Sequence, residues 1–124
     1  QSAKAFFPEI SLNLFVTGGG TVLLPALVGL NKAREMLFFG ERYDANSLLE
    51  MGLAGKVVPP EQLMEQAKVM ALKLAKLPPL SSRAMKRVLS QTATQQFKNA
   101  MQLETEATVT GFMDPETTRL LKAF

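Results

Sequence analysis

The sequence predicts a helix-rich α/β chain, and three observations carry that prediction. Apolar residues recur at three- and four-residue spacing through most of the second half. Prolines and glycines cut the first sixty residues into short elements. Two or three short strands are expected beside these helices, at 3–7, at 56–58 and within 10–16.

Taken in order, Ala3-Lys4-Ala5-Phe6-Phe7 reads as a strand entering a turn, because Pro8 holds Phe7 extended. Ile10, Leu12 and Leu14 alternate with Ser11 and Asn13, as in a strand or a packed loop. Gly18-Gly19-Gly20 then breaks the chain, and an apolar helix follows over about 21–28. Asn31 is the expected cap of a helix over 32–39, closed by Gly40, with Ala33, Met36, Leu37 and Phe38 inward. Asp44 caps a helix over 45–51, which Gly52 closes. Lys56-Val57-Val58 reads as a strand stopped by Pro59, and Pro60 starts a helix running to Lys76. Its apolar positions are Leu63, Ala67, Met70, Ala71 and Leu74.

After Pro78-Pro79, Ser81 or Ser82 is expected to cap a helix to Gln91 with Met85, Val88 and Leu89 inward. Thr94 is expected to cap the next, to Val109, with Phe97, Ala100, Met101 and Ala107 inward and Gly111 as its stop. Asp114-Pro115-Glu116 marks the start of a last helix: cap, proline in the first turn, acid near the positive end of the dipole.

Composition narrows the chemistry. The 124 residues are 47% hydrophobic and 20% charged, with mean hydropathy +0.08, which describes an ordered single domain. The absence of Cys and His removes thiol nucleophiles, thiolate metal sites, Ser-His-Asp triads and imidazole shuttles within the chain. Acid–base work falls to Asp, Glu, Lys or Tyr. No run approaches the roughly 20 apolar residues that span a bilayer, so no membrane segment is expected. Beginning Gln-Ser-Ala-Lys rather than with Met, the chain reads as the middle of a longer one or as a processed one.

Six basic and no acidic residues lie between Lys68 and Arg87. Such a stretch attracts phosphates or is a solvated helix face. No aromatic residues are interleaved with it, so a nucleic-acid partner is not expected. Gly18-Gly19-Gly20-Thr21 before a helix either offers backbone N–H groups to an anion or serves as a close-packing turn. It lacks the endings of a phosphate loop and of a dinucleotide fingerprint. Glu9 stands among Phe6, Phe7, Pro8 and Ile10, either as a desolvated acid–base carboxylate or as a surface glutamate at a strand end. Glu104 and Glu106 read as solvent-facing or ion-paired, and the seven methionines as core or interface fillers.

The motifs gain meaning in order: Pro8-Glu9-Ile10-x-Leu12, Gly19-Gly20-Thr21, Leu24-Pro25-x-x-Val28-Gly29, then Ala33, Glu35, Met36, Leu37 and Gly40. Ala45, Gly52-Leu53-Ala54, Val57-Val58-Pro59, the Leu63–Ala67–Ala71–Ala75 helix, Pro79 and Lys86 follow. This series resembles the C-terminal part of the crotonase family, the enoyl-CoA hydratases and isomerases, over about residues 1–90. The resemblance implies a crotonase-like α/β spiral fold of β-β-α turns, of which this chain is the C-terminal, mostly helical part. Residues 1–58 would end the spiral core and 59–124 would form a helical oligomerisation region.

It also implies a function: proton transfer next to a CoA thioester through an enolate. The resemblance makes Glu9 the catalytic carboxylate and Phe15, Val16 and Thr17 part of the acyl-pocket wall. It places the two oxyanion N–H groups, and a hydratase's second glutamate, upstream of Gln1. The glycine triplet, lying after the proline-glutamate motif, then corresponds to the family's packing turn. Hydratases often carry glycine where Asn13 stands, Pro-Gly where Val16-Thr17 stands and Gln-Arg where Val22-Leu23 stands. These departures point toward a Δ3-Δ2 enoyl-CoA isomerase or a divergent member.

The expected partners are an acyl-CoA substrate and copies of the chain in a homo-trimer or dimer of trimers, with no cofactor and no metal. Met70, Leu74, Met85, Leu89 and Met101 are the residues expected to be buried on assembly. A soluble intracellular location, cytoplasmic in a bacterium, goes with such an enzyme. The rival from another class is a non-catalytic helical association module.

Overall fold

A computed structural model describes residues 2–124, and of residues 91–95 the backbone alone. Two residues from each end of the first segment make the sheet: β1 (Lys4–Ala5) pairs antiparallel with β2 (Tyr43–Asp44), Lys4 opposite Asp44 and Ala5 opposite Tyr43. The expected strand at 3–7 is therefore shortened. Pro8 is already in the right-handed helical region and a short 3-10 helix starts at Glu9. The run 10–16 is thus a turn and packed loop, ended by a left-handed Asn13 at φ 57°.

The expected strand at 56–58 does not form. Pro59 and Pro60 follow it and offer no N–H to a ladder, and the segment leads straight into a 3-10 turn at Pro60–Gln62. The partner of β1 is instead the segment that enters the Asp44-capped helix.

Helix α1 (Gly20–Val28) begins after Gly18 and Gly19, both left-handed. Helix α2 (Leu30–Phe39) begins at once after Gly29 rather than at the expected Asn31 cap. At φ 79° Gly29 turns the chain without a Cβ penalty, and its carbonyl accepts from Ala33 N–H at 3.0 Å. Asn31 therefore lies inside the helix. Leu24 of α1 packs on Ala33 and Met36 of α2, with Phe7, Leu37, Tyr43 and Leu53 around them. Phe38 does not join them. It lies about 200° around the helix from Met36 and is exposed.

Helix α3 (Ala45–Glu50) is capped as expected, Asp44 Oδ1 accepting from Ser47 N–H at 2.8 Å. Helix α4 (Leu63–Ala75) follows the 3-10 turn and, among the described residues, packs only on that turn. The two helices expected after Pro79 are one, α5 (Pro79–Met113). Ser82, one of the expected caps, points back instead and donates to the Pro78 carbonyl, as Ser90 does to Lys86, Thr105 to Met101 and Thr110 to Glu106. The Thr94 side chain lies outside the described residues, and the backbone passes through it as helix.

Gly111 does not stop this helix either. A Cβ there would stand 3.1 Å from the Asn13 carbonyl oxygen, so glycine is what lets the helix lie on that loop. The stop is Asp114-Pro115: Asp114 is extended, and its side chain accepts from Glu116 N–H at the start of α6 (Pro115–Ala123).

The apolar faces of α4 and of the first half of α5 are not inward in this chain. Leu63, Met70, Leu74, Met85, Val88 and Leu89 are all more than half exposed, because among the described residues α4 lies on no other helix. Met101 is half-buried on its own chain. Among the described residues no helix is long and apolar enough to cross a membrane.

Candidate active site

Pro8 sets up the site by starting a 3-10 turn whose first residue is Glu9. The turn closes on itself: the Pro8 carbonyl accepts from the N–H and hydroxyl of Ser11, and the Glu9 carbonyl from Leu14 N–H at 2.9 Å. With its backbone so held, Glu9 faces a cavity of about 190 Å³. Phe7, Ile10, Leu14, Phe15, Val16 and Phe38 line it, together with Thr21 and Leu37. Glu9 is the one titratable side chain in that lining.

One carboxylate oxygen of Glu9, Oε2, is hidden from solvent and has no hydrogen-bond partner among the described residues. A buried polar atom without a partner forgoes about 1–3 kcal/mol, so few persist without a use. The arrangement is a carboxylate in the lining of an apolar chamber, a group able to exchange a proton with the weakly acidic C–H of a bound apolar substrate. Phe15 and Val16 form the wall beside it. Thr17 does not reach the chamber. It is exposed, and its carbonyl accepts from Gly20 N–H as the chain reverses through the two left-handed glycines. Thr21, one helical step beyond the turn, stands in the lining instead.

Both readings of the glycine triplet meet in one unexpected residue. Glu104, expected to be solvent-facing or ion-paired, is 1% exposed in the middle of α5 and is in neither of the ion pairs among the described residues. Its Oε2 accepts from Gly19 N–H at 2.7 Å, and its Oε1 from Thr21 N–H at 2.9 Å and the Thr21 hydroxyl at 2.6 Å. The anion at the start of α1 is therefore the chain's own carboxylate, placed where the helix dipole is positive. The turn is also a packing turn: a Cβ on Gly19 would collide with the Phe97 ring, and one on Gly20 would come within 2.8 Å of Val16.

A sequence signal for Glu104 exists. Phe97, Ala100, Glu104, Ala107 and Gly111 form a stripe at helical spacing, so Glu104 shares the face of residues already read as inward. Glu106 is off that stripe and exposed, accepting from Gln102. Two further ties bind the loop to the C-terminal helices. Thr117, 1% exposed, donates to the Asn13 carbonyl and accepts from the Asn13 amide, and Thr108 donates to the Phe15 carbonyl. The basic residues between Lys68 and Arg87 line no part of the Glu9 chamber.

Known proteins share the chain's sequence and fold. A family model described as enoyl-CoA hydratase/isomerase matches residues 1–122. The short-chain-enoyl-CoA hydratase of Clostridium acetobutylicum is 31% identical over 107 residues, covering 86% of this chain and 41% of that protein. A protein of the same description from Clostridioides difficile is 34% identical over 105 residues, covering 83% of this chain and 68% of that one. The crystal structure of an enoyl-CoA hydratase/isomerase from Pseudoalteromonas atlantica T6c superposes with a TM-score of 0.93 at 24% identity, over 98% of this chain and 49% of that one. The fold is thus the crotonase-like one that the resemblance implied, and the chain spans about two fifths of the first curated relatives it matches, 41% and 37% of their lengths.

Proposed function

The chain belongs to the enoyl-CoA hydratase/isomerase family, and from that premise we propose that it supplies the proton-transfer carboxylate and acyl-chamber wall of an acyl-CoA enzyme. Glu9 moves a proton at the carbon next to, or conjugated with, a CoA thioester, while the thioester oxygen carries the developing charge as an enolate. The observation that carries this reading is Glu9 in the lining of an apolar chamber, with one carboxylate oxygen hidden and unpartnered among the described residues. A carboxylate so placed has one oxygen shielded from solvent and from any donor among the described residues, which suits it to an acidified C–H once the enolate oxygen is hydrogen-bonded.

The substrate is an acyl-CoA whose chain enters between Phe15, Val16 and Phe38. Residues 59–124 act as the assembly region, joining copies of the intact protein into a trimer or dimer of trimers through the open faces of α4 and α5. The departures at Asn13, Val16-Thr17 and Val22-Leu23 from the residues hydratases often carry favour isomerase chemistry, in which one carboxylate removes and returns the proton.

Separate assays of the intact protein in D2O test both levels. With a trans-2-enoyl-CoA, a hydratase forms the 3-hydroxyacyl-CoA with solvent deuterium at C2. With a trans-3-enoyl-CoA, an isomerase forms the 2-enoyl product, with deuterium at C4 only to the extent that the Glu9 carboxyl exchanges with solvent between the two transfers. We expect the second reaction to dominate; a dominant first one assigns hydratase chemistry, and neither reaction overturns the proposal.

A further inference from the structure

We propose that Glu104 is a positioning residue that sets where the wall of the acyl chamber stands, and so tunes acyl-chain length. This rests on the reading of the Glu9 chamber as the acyl site.

The wall formed by Phe15 and Thr21 has open space on both of its sides. The Glu9 chamber lies on one, and on the other is a second void of about 480 Å³ bordered by Ala100, Leu103 and Glu104. Behind Phe15 and Thr21 the wall is therefore open, and hydrogen bonds from α5 hold it. The Thr108 hydroxyl donates to the Phe15 carbonyl at 3.4 Å, and three shorter bonds run to one carboxylate, from Gly19 N–H, Thr21 N–H and the Thr21 hydroxyl. The load passes from α5 to the start of α1, and from there to Val16, whose methyl fills the space over Gly20. The two ion pairs among the described residues, Lys32–Glu35 and Glu116–Arg119, leave Glu104 out, so its charge is met by the N-terminal dipole of α1. Weakening these bonds frees the wall to swing into the second void. A short acyl chain then loses its contact, while a longer one gains room.

Glu104→Gln keeps the side chain's size but turns one acceptor oxygen into a donor facing an N–H. In the intact protein we expect KM for a short-chain enoyl-CoA to rise about tenfold, with kcat much less affected and the preference moved toward a medium-chain substrate. Thr21→Val removes one of the three bonds and should move the same ratio less, with a double variant that is less than additive. Thr21→Val decides the matter if Glu104→Gln does not fold. Calorimetric affinity for saturated short- and medium-chain acyl-CoAs, measured in a Glu9→Gln background, reads the wall without any proton transfer. A shifted affinity ratio there supports the positioning role even if Glu9 proves not to be the base. A chain-length ratio unchanged to within about twofold in the folded variants, in both KM and affinity, overturns it.

Discussion

Gly19 and Gly18 show how differently neighbouring residues of one kind can be constrained. Both are left-handed, at φ 80° and 74°. A Cβ on Gly18 would meet open space, whereas on Gly19 it would strike the Phe97 ring. Gly18→Ala should therefore cost about 1 kcal/mol of backbone strain, and Gly19→Ala about 2 kcal/mol or more once the ring must move. Chemical denaturation of the two variants checks this, and equal losses would mean that Phe97 does not press on the turn. Asn13 obeys the same rule from the other side. It stands where the resemblance expects glycine, is left-handed at φ 57°, and asparagine is among the few side chains that tolerate that region. Glu9 stood out in the sequence through its place in an ordered motif, since its apolar neighbours alone fit a surface glutamate as well. Glu104 was read as solvated despite lying on the inward stripe, because a charged residue on a helix usually is and its partners, two backbone N–H groups and the Thr21 hydroxyl, lie 83 and 85 positions away.

At the scale of elements, ends with a side-chain cap or a proline were easier to read than ends made by tertiary packing. Asp44 and Asp114 were correctly placed as caps because an aspartate before a helical run meets a local need of the backbone. Gly111 misled because its reason is the Asn13 carbonyl, nearly a hundred residues earlier, and the strand at 56–58 misled because propensity cannot show whether an edge is available. The Asp44 cap carries a pH signature. The Ser47 backbone N–H and hydroxyl hold its carboxyl below the usual carboxylate range. A depressed folded pKa gives stability that is fully present above the unfolded value, about 3.9, and is lost as pH falls through the folded one. Asp44→Asn, which still offers an oxygen to Ser47, should flatten the part of the melting-temperature profile below about pH 4 while changing the neutral value little. An acid limb as steep as the parent's would place that stability elsewhere.

At the scale of the whole molecule, the C-terminal helices do two separate things. The second half of α5, with α6, grips the loop from Glu9 to Thr21 from behind through Glu104, Thr108 and Thr117. The first half of α5, with α4, presents Leu74, Leu77 and Met85 around an open groove. The sequence showed this apolar excess and not its geometry, since helical periodicity marks a face without saying what covers it. Charged substitutions at Leu74 and Met85 of the intact protein should shift sedimentation toward smaller species while the fold is retained, and an unchanged assembly would remove this face from the interface. The central claim, however, is that Glu9 moves the proton. Its most direct test is the turnover of enoyl-CoA by the intact protein against its Glu9→Gln variant at equal folded concentration. We predict a fall of at least about 100-fold with acyl-CoA affinity retained, whereas turnover close to the parent's would contradict the account.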